Sequence, residues 1–278
     1  MVSEPPQNDF EERSDADGSP PLITWLASYP RSGNTLLRII LSSCFGQFSQ
    51  SIYSDAEFSD PAVLHVIGSE PVGPDPHWFL NVARQRKRSL FVKTHELPGG
   101  DNHRAIYILR DGRSCVVSHY HFLTDMLHLK VSLADVILGK CGVSWSDHVN
   151  AWTMIEKPDT LVVRYEDLVI GDIRTLARIA HFIGRPIFRE FDISFGRLHA
   201  QCPLFFRSGS DQANIAELQG ADLELFEQMH GATLRRVGYG EHSKTDPVNG
   251  SSDFERGPGQ EAQEMKARAG GRRQKVPI

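Results

Sequence analysis

Residues 22–41, Leu-Ile-Thr-Trp-Leu-Ala-Ser-Tyr-Pro-Arg-Ser-Gly-Asn-Thr-Leu-Leu-Arg-Ile-Ile-Leu, constrain this chain more than any other stretch. An apolar run stops at Tyr29-Pro30, a short polar turn follows, and apolar residues then return at helical spacing. The order is a buried strand, a turn large enough for a phosphate, and a helix start. The first amides of a helix have no intrahelical acceptor and carry the positive end of its dipole. Ser32, Gly33, Asn34 and Thr35 therefore predict a backbone able to wrap an anion, with Arg31 at its rim. Small polar residues at a helix start are also ordinary caps. On these residues alone, an anion cradle and a plain strand–turn–helix junction both stand.

The rest of the chain repeats the strand-then-helix pattern. A first strand at about 22–28 and its helix at about 33–45 are followed by short strands at Ser89–Lys93, Ala105–Leu109 and Thr160–Arg164. Helical patterns cover about 131–139, 144–156 and 222–237, with a further helix capped by Asp172 and ending near Ile183-Gly184. Asp111 or Ser114 caps a helix carrying Val116, Val117 and Tyr120. Residues 47–80 read as irregular, broken by Pro61, Pro71, Pro74 and Pro76, and they are a candidate wall for a second substrate. The basic stretch Arg84 to Arg88 reads as a solvated helix end. Alternating strands and helices predict an α/β fold, a central parallel sheet flanked by helices on both faces.

Residues 1–20 hold almost nothing apolar to bury and residues 241–278 show no regular apolar period; both read as disordered tails around a single domain at 21–240. The net charge of −5 argues against a nucleic-acid partner. No stretch has the length and apolarity of a transmembrane segment, and none resembles an export signal. Four widely spaced cysteines without a C-x-x-C pair read as thiols in a reducing compartment, which predicts a cytoplasmic enzyme. His119 and His121, two apart on a helix, do not share a face, so they make no metal pair. No other metal-ligand cluster appears, and no metal is expected.

Five segments in order resemble the cytosolic-type sulfotransferases that use 3′-phosphoadenosine-5′-phosphosulfate (PAPS). Tyr29-Pro30-Arg31-Ser32-Gly33-Asn34-Thr35 resembles their 5′-phosphosulfate loop, Y-P-K-S-G-[TN]-T. Lys93-Thr94-His95-x-Leu97-Pro98 is similar to the K-T-H-x-x-P segment with its catalytic base. Arg110 to Phe122 resembles the 3′-phosphate segment, R-[ND]-x-x-D-x-x-V-S-x-x-x-F. Tyr165-Glu166-Asp167-Leu168 matches the Y-E-D-[LM] turn, and Phe206-Arg207-x-Gly209 the late R-x-G loop.

The resemblance implies a P-loop-like α/β domain that passes a sulfuryl group from PAPS to a hydroxyl or amine, leaving the bisphosphate PAP. It assigns His95 as general base, with Arg31 and Lys93 stabilising the leaving phosphate. Ser32, Gly33, Asn34 and Thr35 would hold the 5′ end. Arg110, Ser118, Arg207, Ser208 and Gly209 would hold the 3′-phosphate, and Tyr165 and Phe195 the adenine. An alternative for Arg110 is a surface ion pair with a neighbouring Asp. Arg31 replaces the usual Lys, Ser208 replaces the Lys after the late Arg, and Leu36 replaces a Trp that stacks in the family. The late Gly-Asp-Trp is absent. A P-loop kinase is disfavoured because no G-x-x-x-x-G-K-[ST] segment exists. A non-catalytic PAP-binding module is the other alternative, and His95 speaks against it. The acceptor, a small molecule or a glycan, is not read from the mixed walls at 47–80 and 123–145.

Overall fold

The computed structural model describes residues 23–53, 61–70, 90–99, 104–154, 159–192, 196 and 211–240. Five parallel strands form one sheet in the order β2-β3-β1-β4-β5. They are β1 Ile23–Ser28, β2 Ser49–Ser51, β3 Leu90–Thr94, β4 Arg104–Leu109 and β5 Thr160–Arg164. β1 lies in the middle: Ala27 pairs with Thr94 on one side and Tyr107 on the other. Chain order reverses around β1, and the loops leaving β1, β3 and β4 open at one carboxyl edge, where α/β sheets take ligands.

The helices are α1 Asn34–Phe45, α2 Pro61–Ile67, α3 Gly112–His121, α4 Leu133–Ile137 and α5 Trp145–Thr153. After β5 come α6 Tyr165–Val169, α7 Ile173–Ile183, α8 Asp211–Glu217 and α9 Gly220–Arg236. Along β4, alternate side chains serve opposite faces, as the two-residue strand period requires. Ala105, Tyr107 and Leu109 pack with Val116, Trp145, Trp152 and Phe226 of α3, α5 and α9. Ile106 and Ile108 pack with Leu37, Leu41 and Ile179 of α1 and α7. Both faces of the sheet are thus covered, as the alternation of strands and helices predicts.

Three local readings change. The span 47–80, read as irregular, contains β2 and α2. β2 is Ser-Gln-Ser and shows no apolar alternation; its burial comes from pairing with β3 and from the buried Arg38 guanidinium, whose Nε donates to Ser49 Oγ at 2.8 Å. Pro61, read as a breaker, is the first residue of α2, where a missing N–H does no harm. The Tyr165–Leu168 turn is one helical turn. α8 occupies a stretch without apolar periodicity. Arg84 to Arg88 lie outside the described residues.

Candidate active site

The loop between β1 and α1 is shaped by Gly33 and Asn34. Gly33, at φ 100°, is the N-cap of α1 and offers no side chain, and the first turn carries no acidic residue. Asn34 turns its amide back into the fold, donating to the Leu26 carbonyl at 2.7 Å and to Ser28 Oγ at 3.3 Å. Its Oδ1 is buried without a hydrogen bond. The loop is thereby latched to the end of β1 while the first amides of α1 have no side-chain cap. A Cβ at Gly33 would lie 2.4 Å from the Tyr165 ring, so that ring packs directly on the loop backbone. Arg31 adopts the left-handed conformation, φ 65°, which for a residue with a Cβ costs about 1–2 kcal/mol.

The loop touches the segment 110–118 at several points. Arg31 Nε donates to Ser118 Oγ at 3.3 Å, and its guanidinium stands over the Phe122 ring at 5.2 Å. Ser32 Oγ lies 3.2 Å from the buried Cys115 thiol, whose pKa burial pushes up to about 12. Arg110 NH1 donates to the Arg31 carbonyl at 2.7 Å, and its Cζ lies 3.9 Å from the Tyr165 ring centroid. Arg110 is also in an ion pair, but a partly buried one, with Asp211 of α8 rather than with a sequence neighbour. Asp111, not Ser114, caps α3, accepting from the Arg113 amide at 2.9 Å.

At the end of β3, Lys93 is buried and its ammonium lies 5.8 Å from the Tyr53 ring centroid. His95 is half-buried. Its Nδ1 lies 2.7 Å from the Ser28 carbonyl oxygen, which only accepts, so Nδ1 carries the proton. Nε2 is therefore the basic nitrogen, and no described residue hydrogen-bonds to it. Burial first, then the Lys93 charge, lower the His95 pKa to about 3, partly offset by the Ser28 carbonyl. The imidazole is neutral at ordinary pH.

Three residues that the sequence reading did not single out hold this loop. Tyr53, beyond β2, accepts from the His95 amide at 2.9 Å, donates to Glu96 Oε1 at 3.0 Å and stacks on the His95 ring at 5.5 Å. From α5, His148 Nε2 donates to the His95 carbonyl at 3.1 Å and Trp152 Nε1 to the Glu96 carbonyl at 3.2 Å. The spacing Trp145, His148, Val149, Trp152 is an inward helical stripe, a signal that could have pointed to the last two. Tyr53 has no such signal.

The structure thus brings together Arg31, Ser32, Gly33, Asn34, Thr35, Arg110, Ser118 and Tyr165, with Lys93 on the adjoining strand β3 and His95 just past its end. Phe195, Arg207, Ser208 and Gly209 lie outside the described residues. Leu36 is part of the core under the sheet. His119 is buried against Tyr29, whereas His121 faces Asp125 and Glu217, so the two do diverge. Among the described residues no group of three or more His, Cys, Asp or Glu could hold a metal ion. None of the described helices is long and apolar enough to cross a membrane.

The family model for the sulfotransferase domain matches residues 23–193, which take in every described site residue from Arg31 to Tyr165. The chain belongs to the sulfotransferase domain family. Flavonol 3-sulfotransferase of Flaveria bidentis is 26% identical over 186 residues, covering 60% of this chain and 58% of that protein. Human sulfotransferase 2B1 is 28% identical over 161 residues, 55% of this chain and 42% of its own length. The chain therefore spans less than two thirds of these curated relatives. Among solved structures, mouse sulfotransferase SULT7A1 complexed with PAP superposes with a TM-score of 0.53 at 19% identity, over 78% of this chain and 87% of that one. Retinol dehydratase in a complex with retinol and PAP gives 0.52 at 17% identity, over 78% and 82%. What these two share with this sulfotransferase-family chain is the fold, the P-loop-like parallel sheet covered on both faces.

Proposed function

We propose that the chain moves the sulfuryl group of PAPS onto a hydroxyl, or an amine, of a small-molecule or glycan acceptor. One observation carries the reading. His95 has its Nδ1 proton tied to the Ser28 carbonyl and so presents a basic Nε2 next to the buried cation Lys93, one strand from the anion loop. Family membership supports the donor class. The uncapped start of α1, the Cβ-free Gly33 under Tyr165 and the Arg110 guanidinium fit an adenosine carrying phosphate at two positions.

In this reading the acceptor proton passes to His95 Nε2. The acceptor atom bonds to sulfur, the bridging S–O bond breaks, and its electron pair stays on the 5′-phosphate of PAP. The transition state is loose and in line, so the protein contributes position and charge rather than covalent chemistry. Arg31 and Lys93 oppose the charge that grows on the leaving phosphate. Arg31 does this as a fixed bidentate cation, not as a proton donor. Negative charge beside Lys93 offsets its lowering effect on His95 and raises the basicity of the imidazole toward its working range. Arg110 and Ser118, with Arg207, Ser208 and Gly209, are assigned to the 3′-phosphate, and Tyr165 with Phe195 to the adenine. The unpaired thiols of Cys44, Cys115 and Cys141 accord with a cytoplasmic location.

The test is a melt with PAP against one with ATP and magnesium. A ligand at a hundredfold excess over its Kd adds about 2.7 kcal/mol of stability, so PAP should raise the Tm and ATP should not. Transfer of label from PAPS to members of an acceptor panel then separates an enzyme from a nucleotide-binding module. Stabilisation by ATP alone would sink the donor assignment, and PAP binding without transfer to any acceptor class would sink the catalytic one.

A further inference from the structure

The short helix α8 lies along α3 and brings one carboxylate to the strand edge. Asp211 Oδ1 accepts from Arg110 Nε at 2.8 Å, from Arg110 NH2 at 2.5 Å and from Ser114 Oγ at 2.6 Å. Asn214, one turn on, donates to Ser114 Oγ at 3.1 Å, and Glu217 meets His121 at the far end of α3. Leu218, just past the helix, is buried in the same core as Val116 and Val117. The helix is thus fixed along its length.

The way Arg110 uses its donors decides what Asp211 does. A guanidinium has five N–H groups. The Nε–H and one NH2 hydrogen point to Asp211, and one NH1 hydrogen goes to the Arg31 carbonyl. Among the described residues, one N–H on each terminal nitrogen is left over, and a planar pair of that kind suits a phosphate or carboxylate. A carboxylate competing for the anion site would sit on the terminal pair; Asp211 takes the lateral edge. The Tyr165 ring closes one face of the group at 3.9 Å.

We infer that Asp211 is a positioning residue, holding the Arg110 guanidinium by its side so that its end faces the 3′-phosphate of the donor. This rests on the sulfotransferase reading and adds to it the residue that sets selection for a 3′-phosphorylated nucleotide. It acts through Arg110 and touches no reacting atom.

The ratio of Kd for adenosine 5′-phosphate to Kd for PAP, measured by calorimetry, reads the 3′-phosphate alone. Asp211→Ala should lower that ratio about tenfold or more, the worth of one charge-assisted contact, with the affinity for adenosine 5′-phosphate nearly unchanged. Adding Ser114→Asp to Asp211→Ala should restore part of the ratio, because Ser114 Oγ lies 2.6 Å from the Asp211 oxygen that meets that guanidinium edge, so a carboxylate at 114 replaces the lost charge beside it; a purely structural Asp211 would not be rescued in this way. Should Asp211→Ala not fold, Asp211→Asn, which keeps the shape and an acceptor oxygen, should show a smaller drop. A ratio unchanged or raised in the folded variants overturns the inference alone. A wild-type chain that binds neither nucleotide overturns the donor reading, and the inference with it.

Discussion

His95 hydrogen-bonds through Nδ1 to the main-chain oxygen of Ser28, 67 positions earlier. A carbonyl oxygen has no proton to give, so the contact selects one imidazole tautomer and leaves the basic lone pair on Nε2. Replacing His95 by Ala should cut sulfuryl transfer by roughly 10²- to 10⁴-fold, the usual worth of a general base. The affinity for PAP should stay within about threefold, since the proposed base meets the acceptor rather than the nucleotide. A fully active His95→Ala enzyme would move the base elsewhere.

Arg31 combines a left-handed backbone, a bond to Ser118 and a stack on Phe122. Arg31→Met should lower kcat about a hundredfold or more, as loss of a charge-stabilising group does. Arg31→Lys keeps the charge and gives up the planar contacts, so it should lose no more than about tenfold. Single-turnover rates on the two variants check this; equal losses would mean that the charge is not what matters.

Trp152 lies parallel to Tyr107 at 5.6 Å and donates to the Glu96 carbonyl. Trp152→Phe keeps an aromatic ring and removes the donor. A loss of about 1 kcal/mol in urea unfolding is expected, along with a several-fold lower kcat and an unchanged Kd for PAP. A larger effect on PAP binding than on kcat would contradict the placement of this residue behind His95.

Gly33→Ala puts a Cβ 2.4 Å from the Tyr165 ring in a backbone conformation, φ +100°, that L residues rarely adopt. Strain and crowding together should cost about 2–4 kcal/mol and abolish PAP stabilisation in a melt. A variant that melts like the wild type and still responds to PAP would show that the ring can step aside.

His119 and His148 are buried, and burial is the main cause that lowers both from 6.5 to about 4; the Arg31 charge adds to the effect at His119. Between about pH 4 and 6.5 the unfolded chain therefore binds more protons than the folded one. Stability is full above that window and falls as the pH drops through it, by roughly 1.4 kcal/mol per pH unit for each histidine. Urea unfolding at pH 7, 6 and 5 measures the slope, and a flat profile would contradict the neutral burial of these rings.

The parts of the site carried by contiguous residues were legible in the sequence. The apolar run into Tyr29-Pro30 and the periodic return after Gly33 placed β1, the loop and α1 to within a residue, because each rests on local periodicity and turn chemistry. Lys93 and His95 were legible because a buried strand delivers them to the ligand edge. Tyr53 and Asp211 were not, since each acts across a gap that no local pattern encodes. β2 was hidden for a related reason: three polar residues form a strand because β3 supplies the partner, and pattern reading sees only the side chains. Arg110 shows both sides of this, its place being legible and its carboxylate partner, 101 positions on, not.

The central place of β1 also bears on how the protein matures. Its contacts to β3 and β4, and the bonds from Arg31 to Ser118 and from Arg110 back to Arg31, join residues 67 to 87 positions apart. Such non-local closure makes folding slow compared with helical bundles of equal size. The nucleotide pocket should consequently appear only as the last cooperative event, and gain of PAP affinity during refolding would time completion of the sheet itself.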